Sequence, residues 1–145
     1  MLTLSDIEVL RSAEVRRAVE ENIERDPQRV ALDKRVPYAQ LVATQVKYLQ
    51  RARKKLPHLY EARCIIPPRA FEQSSSEECA LRKRLEGGSV LDLTCGLGVD
   101  AFALSKRFKR VVTIERNKVV AFYPEARYSL CGTKAILPPS LGKLV

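Results

Sequence analysis

Val90-Leu91-Asp92-Leu93-Thr94-Cys95-Gly96-Leu97-Gly98-Val99-Asp100-Ala101 reads as a buried strand running into a glycine-bearing turn and straight into a helix. Val111-Val112-Thr113-Ile114-Glu115 then supplies a second strand closed by a carboxylate. A strand, a tight glycine turn, a helix and an acid-terminated strand make the βαβ unit that holds a nucleoside. Gly96 and Gly98 adopt backbone angles closed to other residues and keep side chains out of a ligand's way. The helix predicted over 100–108 points its unpaired N–H groups back at that turn. Asp92 and Glu115 stand at the carboxyl ends of adjacent strands, where open α/β sheets bind their ligands. A carboxylate at Glu115 can accept hydrogen bonds from both hydroxyls of a ribose.

Two nucleoside classes fit this frame. Gly96-x-Gly98-x-x-Ala101 matches the dinucleotide fingerprint, which brings NAD into consideration. A pyrophosphate at the helix start would, however, sit near Asp92 and Asp100, with no basic residue between them. Like charges in a poorly solvated pocket repel by an energy on the order of several kcal/mol. A ligand carrying an ammonium and a sulfonium suits two aspartates better, and S-adenosylmethionine carries both.

Asp92-Leu-Thr-Cys-Gly96-Leu-Gly98-Val-Asp100 resembles motif I of class I S-adenosylmethionine-dependent methyltransferases, and Glu115 matches their motif II acid. The Thr94-Cys95-Gly96-Leu97-Gly98 wording looks most like RNA guanine-N2 methyltransferases and bacterial RNA methyltransferases with a THUMP-like domain. A stretch similar to Phe71-Glu72-Gln73-Ser74-Ser75-Ser76-Glu77 stands just before motif I in those proteins, as it does here. The resemblance covers about residues 34–117. It implies that Asp92, Gly96 and Gly98 contact the methionine end of the cofactor and Glu115 its ribose, with Thr94, Cys95 and Asp100 in the same turn. It also places the start of a preceding helix beside the cofactor, which makes Gln73 and Ser74 candidates for contacting it.

Composition bounds the rest. With 145 residues and a hydrophobic fraction of 46%, the chain has enough apolar content for a globular core. No apolar run approaches the length of a membrane span. Met1-Leu-Thr-Leu-Ser-Asp6 lacks the basic start and apolar stretch of a secretion signal, so a cytoplasmic protein is expected. The cysteines at 64, 79, 95 and 131 show no CxxC spacing, and His58 has no cysteine close by, so no metal site is expected. Cys95 reads first as a packing residue, although a nucleophile at that place in the turn is conceivable.

The net charge of +9 is unevenly spread. Residues 1–33 carry five basic and eight acidic side chains, whereas 34–60 carry seven basic and none acidic. The amino-terminal part reads as helical. Ser5-x-x-Glu8 is a capping box, Val15, Val19 and Ile23 share a face, and Asp26-Pro27 opens a short helix to about Leu32. Pro37 opens the longest helix, with Leu41, Val42, Val46 and Leu49 as its apolar stripe, and Pro57 ends it. Lys47, Arg51, Lys54 and Lys55 lie on or beside its other face, where they would bind phosphates regardless of base sequence. Tyr48, next to them, would stack on a base; a solvated face with cations favoured by the helix dipole is the simpler alternative. Residues 63–68 read as extended, Ser74 as the N-cap of a helix to about Leu85, and Gly87-Gly88 as the turn into a strand over 89–93.

The expected architecture is α/β: a helical region over 1–60, then the start of a Rossmann-like βαβ methyltransferase core over 61–117, then a tail over 118–145 without resemblance. By the resemblance, a further crossover helix and several more strands would follow Asn117, so the core reads as truncated. Leu137-Pro138-Pro139-Ser140 superficially matches the Asn/Asp-Pro-Pro-aromatic loop of amino-methylating enzymes. Leucine stands where a polar oxygen must accept from the amine, and serine where a ring would stack, so no catalytic residue is assigned. Two parallel strands leave edges and a face open, which calls for cover by the tail, by the missing half or by an oligomer partner. The leading expectation is part of an S-adenosylmethionine-dependent RNA methyltransferase. The alternative is a non-catalytic nucleic-acid-binding protein that retains a βαβ scaffold.

Overall fold

A computed structural model of the chain describes residues 2–117 and Val120. The fold is mixed α/β, mostly helical, with a small parallel sheet of two strands. It divides into two compact units, one through Glu72 and one from Gln73 onward. The boundary expected from the sequence lies after residue 60. Residues 118, 119 and 121–145, which include the Leu137–Ser140 loop and Cys131, lie outside the described residues.

The first unit is helical throughout. Helix α1 (Leu4–Arg11) is opened by Thr3 rather than Ser5. Thr3 Oγ1 accepts from the Asp6 N–H at 3.1 Å, and Asp6 Oδ2 accepts from the Thr3 N–H at 2.8 Å. The reciprocal cap thus stands two residues earlier than Ser5-x-x-Glu8, because Thr3-x-x-Asp6 offers the same chemistry. Helix α2 (Ala13–Glu21) follows Ser12 as N-cap and buries Val15 and Ala18, with Ile23 buried just past its end. Asp26 caps α3 (Pro27–Leu32) by accepting from the Gln28 N–H at 2.7 Å.

Helix α4 (Ala39–Lys55) is the long helix expected, but it starts two residues after Pro37. Tyr38 intervenes in the left-handed region at φ 50°. Val42, Val46, Leu49 and Ala52 are buried along its inner face. Leu10, Val15, Ala18, Val30, Val42, Ala43 and Val46 form one continuous cluster, so α1 to α4 share a core. Pro57 ends α4 and then takes the first position of α5 (Pro57–Glu61). Residues 64–67 carry no regular structure, and α6 (Pro68–Gln73) begins at the last residue of the piece expected to be extended.

The second unit carries the βαβ. Helix α7 (Glu77–Arg82) is capped by Ser76, not Ser74, with Ser76 Oγ accepting from the Cys79 N–H at 3.2 Å. It stops at Arg82, three residues short of Leu85. Strand β1 (Gly87–Asp92) includes both glycines that were read as a turn. A Cβ on Gly87 would come within 2.9 Å of the Phe108 ring, so this glycine lets the neighbouring strand approach. Helix α8 (Val99–Ser105) is followed by β2 (Phe108–Thr113), three residues earlier than expected. The strands are parallel and in register from Gly87 opposite Phe108 to Asp92 opposite Thr113. Ala101 and Leu104 pack with Val111, Val90 and Phe108 over one face of the sheet. On the other face Leu91 and Leu93 are 53% and 65% exposed.

Candidate functional site

The glycine turn is held by the ends of both strands. Pairing continues past β2, with the Ile114 N–H donating to Asp92 O at 2.8 Å and the Cys95 N–H to Ile114 O at 3.0 Å. The Gly98 N–H then closes the turn on Cys95 O at 2.7 Å. Gly96 and Gly98 have φ of 53° and 73°, in the region that favours glycine. A Cβ on Gly96 would meet only Thr94 O, at 3.8 Å, so the demand there is conformational rather than spatial. Gly98 is the N-cap of α8.

Seven of the nine expected cofactor residues, Asp92, Thr94, Cys95, Gly96, Gly98, Asp100 and Glu115, lie at this turn. Glu115, two residues beyond β2, folds back over it. Its Oε2 accepts from the Gly96 N–H at 2.8 Å, and its Oε1 from the Asn117 N–H at 2.7 Å. Each oxygen keeps a second lone pair for a ligand hydroxyl. Asp92 Oδ1 accepts from the Thr94 N–H at 3.0 Å. Asp92 Oδ2 is buried and has no hydrogen-bond partner among the described residues, and neither does Thr113 Oγ1, in the rung opposite. Burial pushes the Asp92 carboxyl above its ordinary value. The Thr94 N–H and the Lys83 ammonium oppose that shift, while the Asp100 and Glu115 carboxylates add to it.

Asp100, in the first turn of α8, brings the third carboxylate. Contrary to the expectation of no basic residue at this place, Lys83 Nζ donates to Asp100 Oδ1 at 2.6 Å. Lys83 comes from the end of α7, and its pairing across 17 positions leaves no periodic trace in the sequence. Thr113 was equally missed, although alternation with buried Val111 does point it inward. Cys95 is 5% exposed, in keeping with a packing role. Gln73 is exposed at the end of α6, and Ser74 is half-buried beyond it without the capping role expected of it.

This donor set fits the expected cofactor. Three carboxylates, one with an orphaned buried oxygen, surround a turn whose backbone admits a close ligand. They favour a cationic group over a pyrophosphate. Among the described residues, no group of three or more His, Cys, Asp or Glu side chains is placed to hold a metal ion. No helix among them is long and apolar enough to cross a membrane.

The four cations read as a nucleic-acid face are not equivalent. Lys47 and Lys54 are exposed on α4. Arg51 is bound to both oxygens of Glu72 and lies between two rings, 5.3 Å from the centroid of Tyr48 and 5.0 Å from that of Phe71. Lys55 Nζ donates to Phe71 O at 2.7 Å. Tyr48 meets Phe71 edge-on at 5.4 Å, and its hydroxyl donates to Glu72 Oε1 at 3.4 Å, so the expected stacking platform has protein partners.

No protein-family model matches the chain, and no curated protein matches it. A crystal structure from Porphyromonas gingivalis W83, described as that of a "putative methyltransferase", is similar at 30% identity with a TM-score of 0.68. The match covers 90% of this chain and 33% of that one, so the chain spans about a third of that protein's length. The chain therefore has a fold similar to that of a methyltransferase structure, with its βαβ turn lined by carboxylates.

Proposed function

We propose that residues 73–117 form the cofactor-binding start of an S-adenosylmethionine-dependent methyltransferase acting on RNA. The observation that carries this reading is the meeting of Asp92, Asp100 and Glu115 at the Gly96–Gly98 turn, beyond the carboxyl ends of two parallel strands. Asp92 and Asp100 would hold the cationic methionine end, and Glu115 the ribose. Thr94, Cys95 and Gly96 supply the backbone frame, and Gln73 and Ser74 complete the candidate set. When bound, the cofactor supplies an electrophilic methyl group. This chain's residues bind it, orient it and balance its charge. The structural likeness supports the methyltransferase part of the reading. The RNA part is supported by the residues 34–60 charge pattern, with Lys47 and Lys54 as the exposed contributors.

Equilibrium dialysis of the 145-residue chain against S-adenosylmethionine tests the site. Weak retention is expected, at least tenfold lower in Gly96→Arg and in Glu115→Ala, on the order of one lost charge-assisted contact. Retention that survives both substitutions would exclude the pocket. RNA binding with no response to the cofactor would favour the non-catalytic reading.

A further inference from the structure

We propose that the amino end of the two-stranded sheet is a second RNA-contacting surface, which holds the phosphates of a single strand beside an exposed glycine shelf. The inference rests on the RNA part of the reading above and adds to it a surface in the second unit. Chain connectivity gathers cations there. Arg84 lies three residues before the start of β1, and Lys106 and Arg107 form the turn from α8 into β2. Lys109 and Arg110 follow on β2 itself, where the pairing sets Phe108 opposite Gly87 and Arg110 opposite Ser89. All of these cations are exposed. Arg107 is occupied at the end of α7, its guanidinium donating to Lys83 O and, at 2.8 Å, to Leu81 O. Lys106 lies over the Phe102 ring, 4.6 Å from its centroid. Arg84, Lys109 and Arg110 form no ion pair among the described residues. Glu86 is the one carboxylate within 84–89 and 106–110.

Two neighbouring features suit a nucleotide strand better than a loose anion. Gly87, Gly88 and Ser89 are exposed, and a Cβ on Gly88 would meet nothing within 4 Å. A sugar-phosphate chain can thus approach the backbone of β1, with β2 and its two cations about 5 Å away. Successive side chains of a strand leave opposite faces, so Lys109 and Arg110 straddle this end of the sheet, and a strand of RNA crossing it meets both. Phe108 stands in the middle of Lys106-Arg107-Phe108-Lys109-Arg110, half-buried, with its ring close to Gly87. An aromatic ring among cations offers bases a face to stack on, which a lipid headgroup does not use. The surface is separate from the cofactor turn, because β1 runs from Gly87 to Asp92, about 17 Å at the rise of a parallel strand. RNA held here is therefore gripped away from the reacting base, through counterion release and regardless of sequence.

Fluorescence anisotropy of a labelled short oligoadenylate with the full chain, repeated across salt concentrations, tests this. Lys109→Ala combined with Arg110→Ala should weaken binding about tenfold at low salt. It should also lower the slope of log affinity against log salt by about 1.4, two phosphate contacts at about 0.7 each. Lys109→Arg combined with Arg110→Lys keeps both charges and should keep the slope. The double-alanine chain should hold the wild-type melting temperature, which separates a lost contact from a lost fold. Inorganic polyphosphate should bind more weakly than the oligoadenylate, because it offers no base to the Phe108 ring. An unchanged slope in the double-alanine chain would overturn the proposal and leave the cations of residues 34–60 as the RNA contact. Equal binding of polyphosphate, or a preference for phosphatidylglycerol vesicles, would overturn RNA as the partner of this surface. No binding of oligoadenylate by the wild type would overturn the RNA reading and this surface together.

Discussion

Asp92 carries the sharpest conflict in the molecule. One of its oxygens completes its own turn, and the other is buried with no donor among the described residues. Its carboxyl, raised by burial above the ordinary 3.8, binds a proton more readily in the folded than in the unfolded chain. The corresponding stability is fully present below that ordinary value and is lost as the pH rises through the raised one. At neutral pH the ionised side chain therefore works against the ligand-free fold. Asp92→Asn keeps the acceptor for Thr94 and removes the charge. We expect it to stabilise the ligand-free chain at pH 7. The gap should close toward pH 4, and cofactor retention should be lost. Thermal melts across that range check the sign, and a destabilised Asp92→Asn would mean that the carboxylate holds the turn. Asp92, Gly96 and Gly98 were legible in the sequence because what they require is local. Lys83 was not, because nothing near it in the chain calls for a cation.

Among the elements, α4 shows how a helix can organise unstructured chain. Gln45 sits on its buried face and reaches Ile66, with Nε2 donating to Ile66 O at 3.3 Å and Oε1 accepting from the Ile66 N–H at 2.8 Å. Both backbone groups of a buried residue outside any helix or strand are thus satisfied by one side chain. Gln45→Leu would fit the apolar stripe but strand both groups. It should destabilise the chain by about 2–4 kcal/mol, read from a urea transition. A near-neutral result would mean that residues 64–67 find other partners. The apolar spacing along α4 was visible beforehand, but a buried glutamine within it was not, since periodicity registers hydrophobicity and not hydrogen bonding. The edges of α1, α7 and β2 moved by two or three residues for a similar reason. Thr3, Ser76 and Phe108 were each as eligible by type as the residues first chosen, and only the realised hydrogen bonds and strand register decided among them.

At the scale of the whole molecule, the two units differ in what holds them. The first has a seven-residue buried cluster drawn from four helices. The described part of the second has a three-residue cluster, Ala101, Leu104 and Val111, against one face of a two-stranded sheet whose Leu91 and Leu93 are exposed. Parallel strands are ordinarily covered on both faces. Residues 2–72 alone should therefore melt cooperatively and, on the RNA reading proposed above, bind RNA with a steep salt dependence through Lys47 and Lys54. A non-cooperative melt of that piece, or RNA binding insensitive to salt, would count against this division of labour. The sequence by itself determined the strand–turn–helix–strand order, the glycine turn and the segregation of cations into residues 34–60, because each follows from local backbone preference, short-range periodicity or simple counting. Only the tertiary structure decided that Glu115 folds back on Gly96, that Lys83 sits on Asp100 and that Arg51 pairs with Glu72. Those pairings join residues 17–21 positions apart, and their energy exists only once the chain has brought the two ends together.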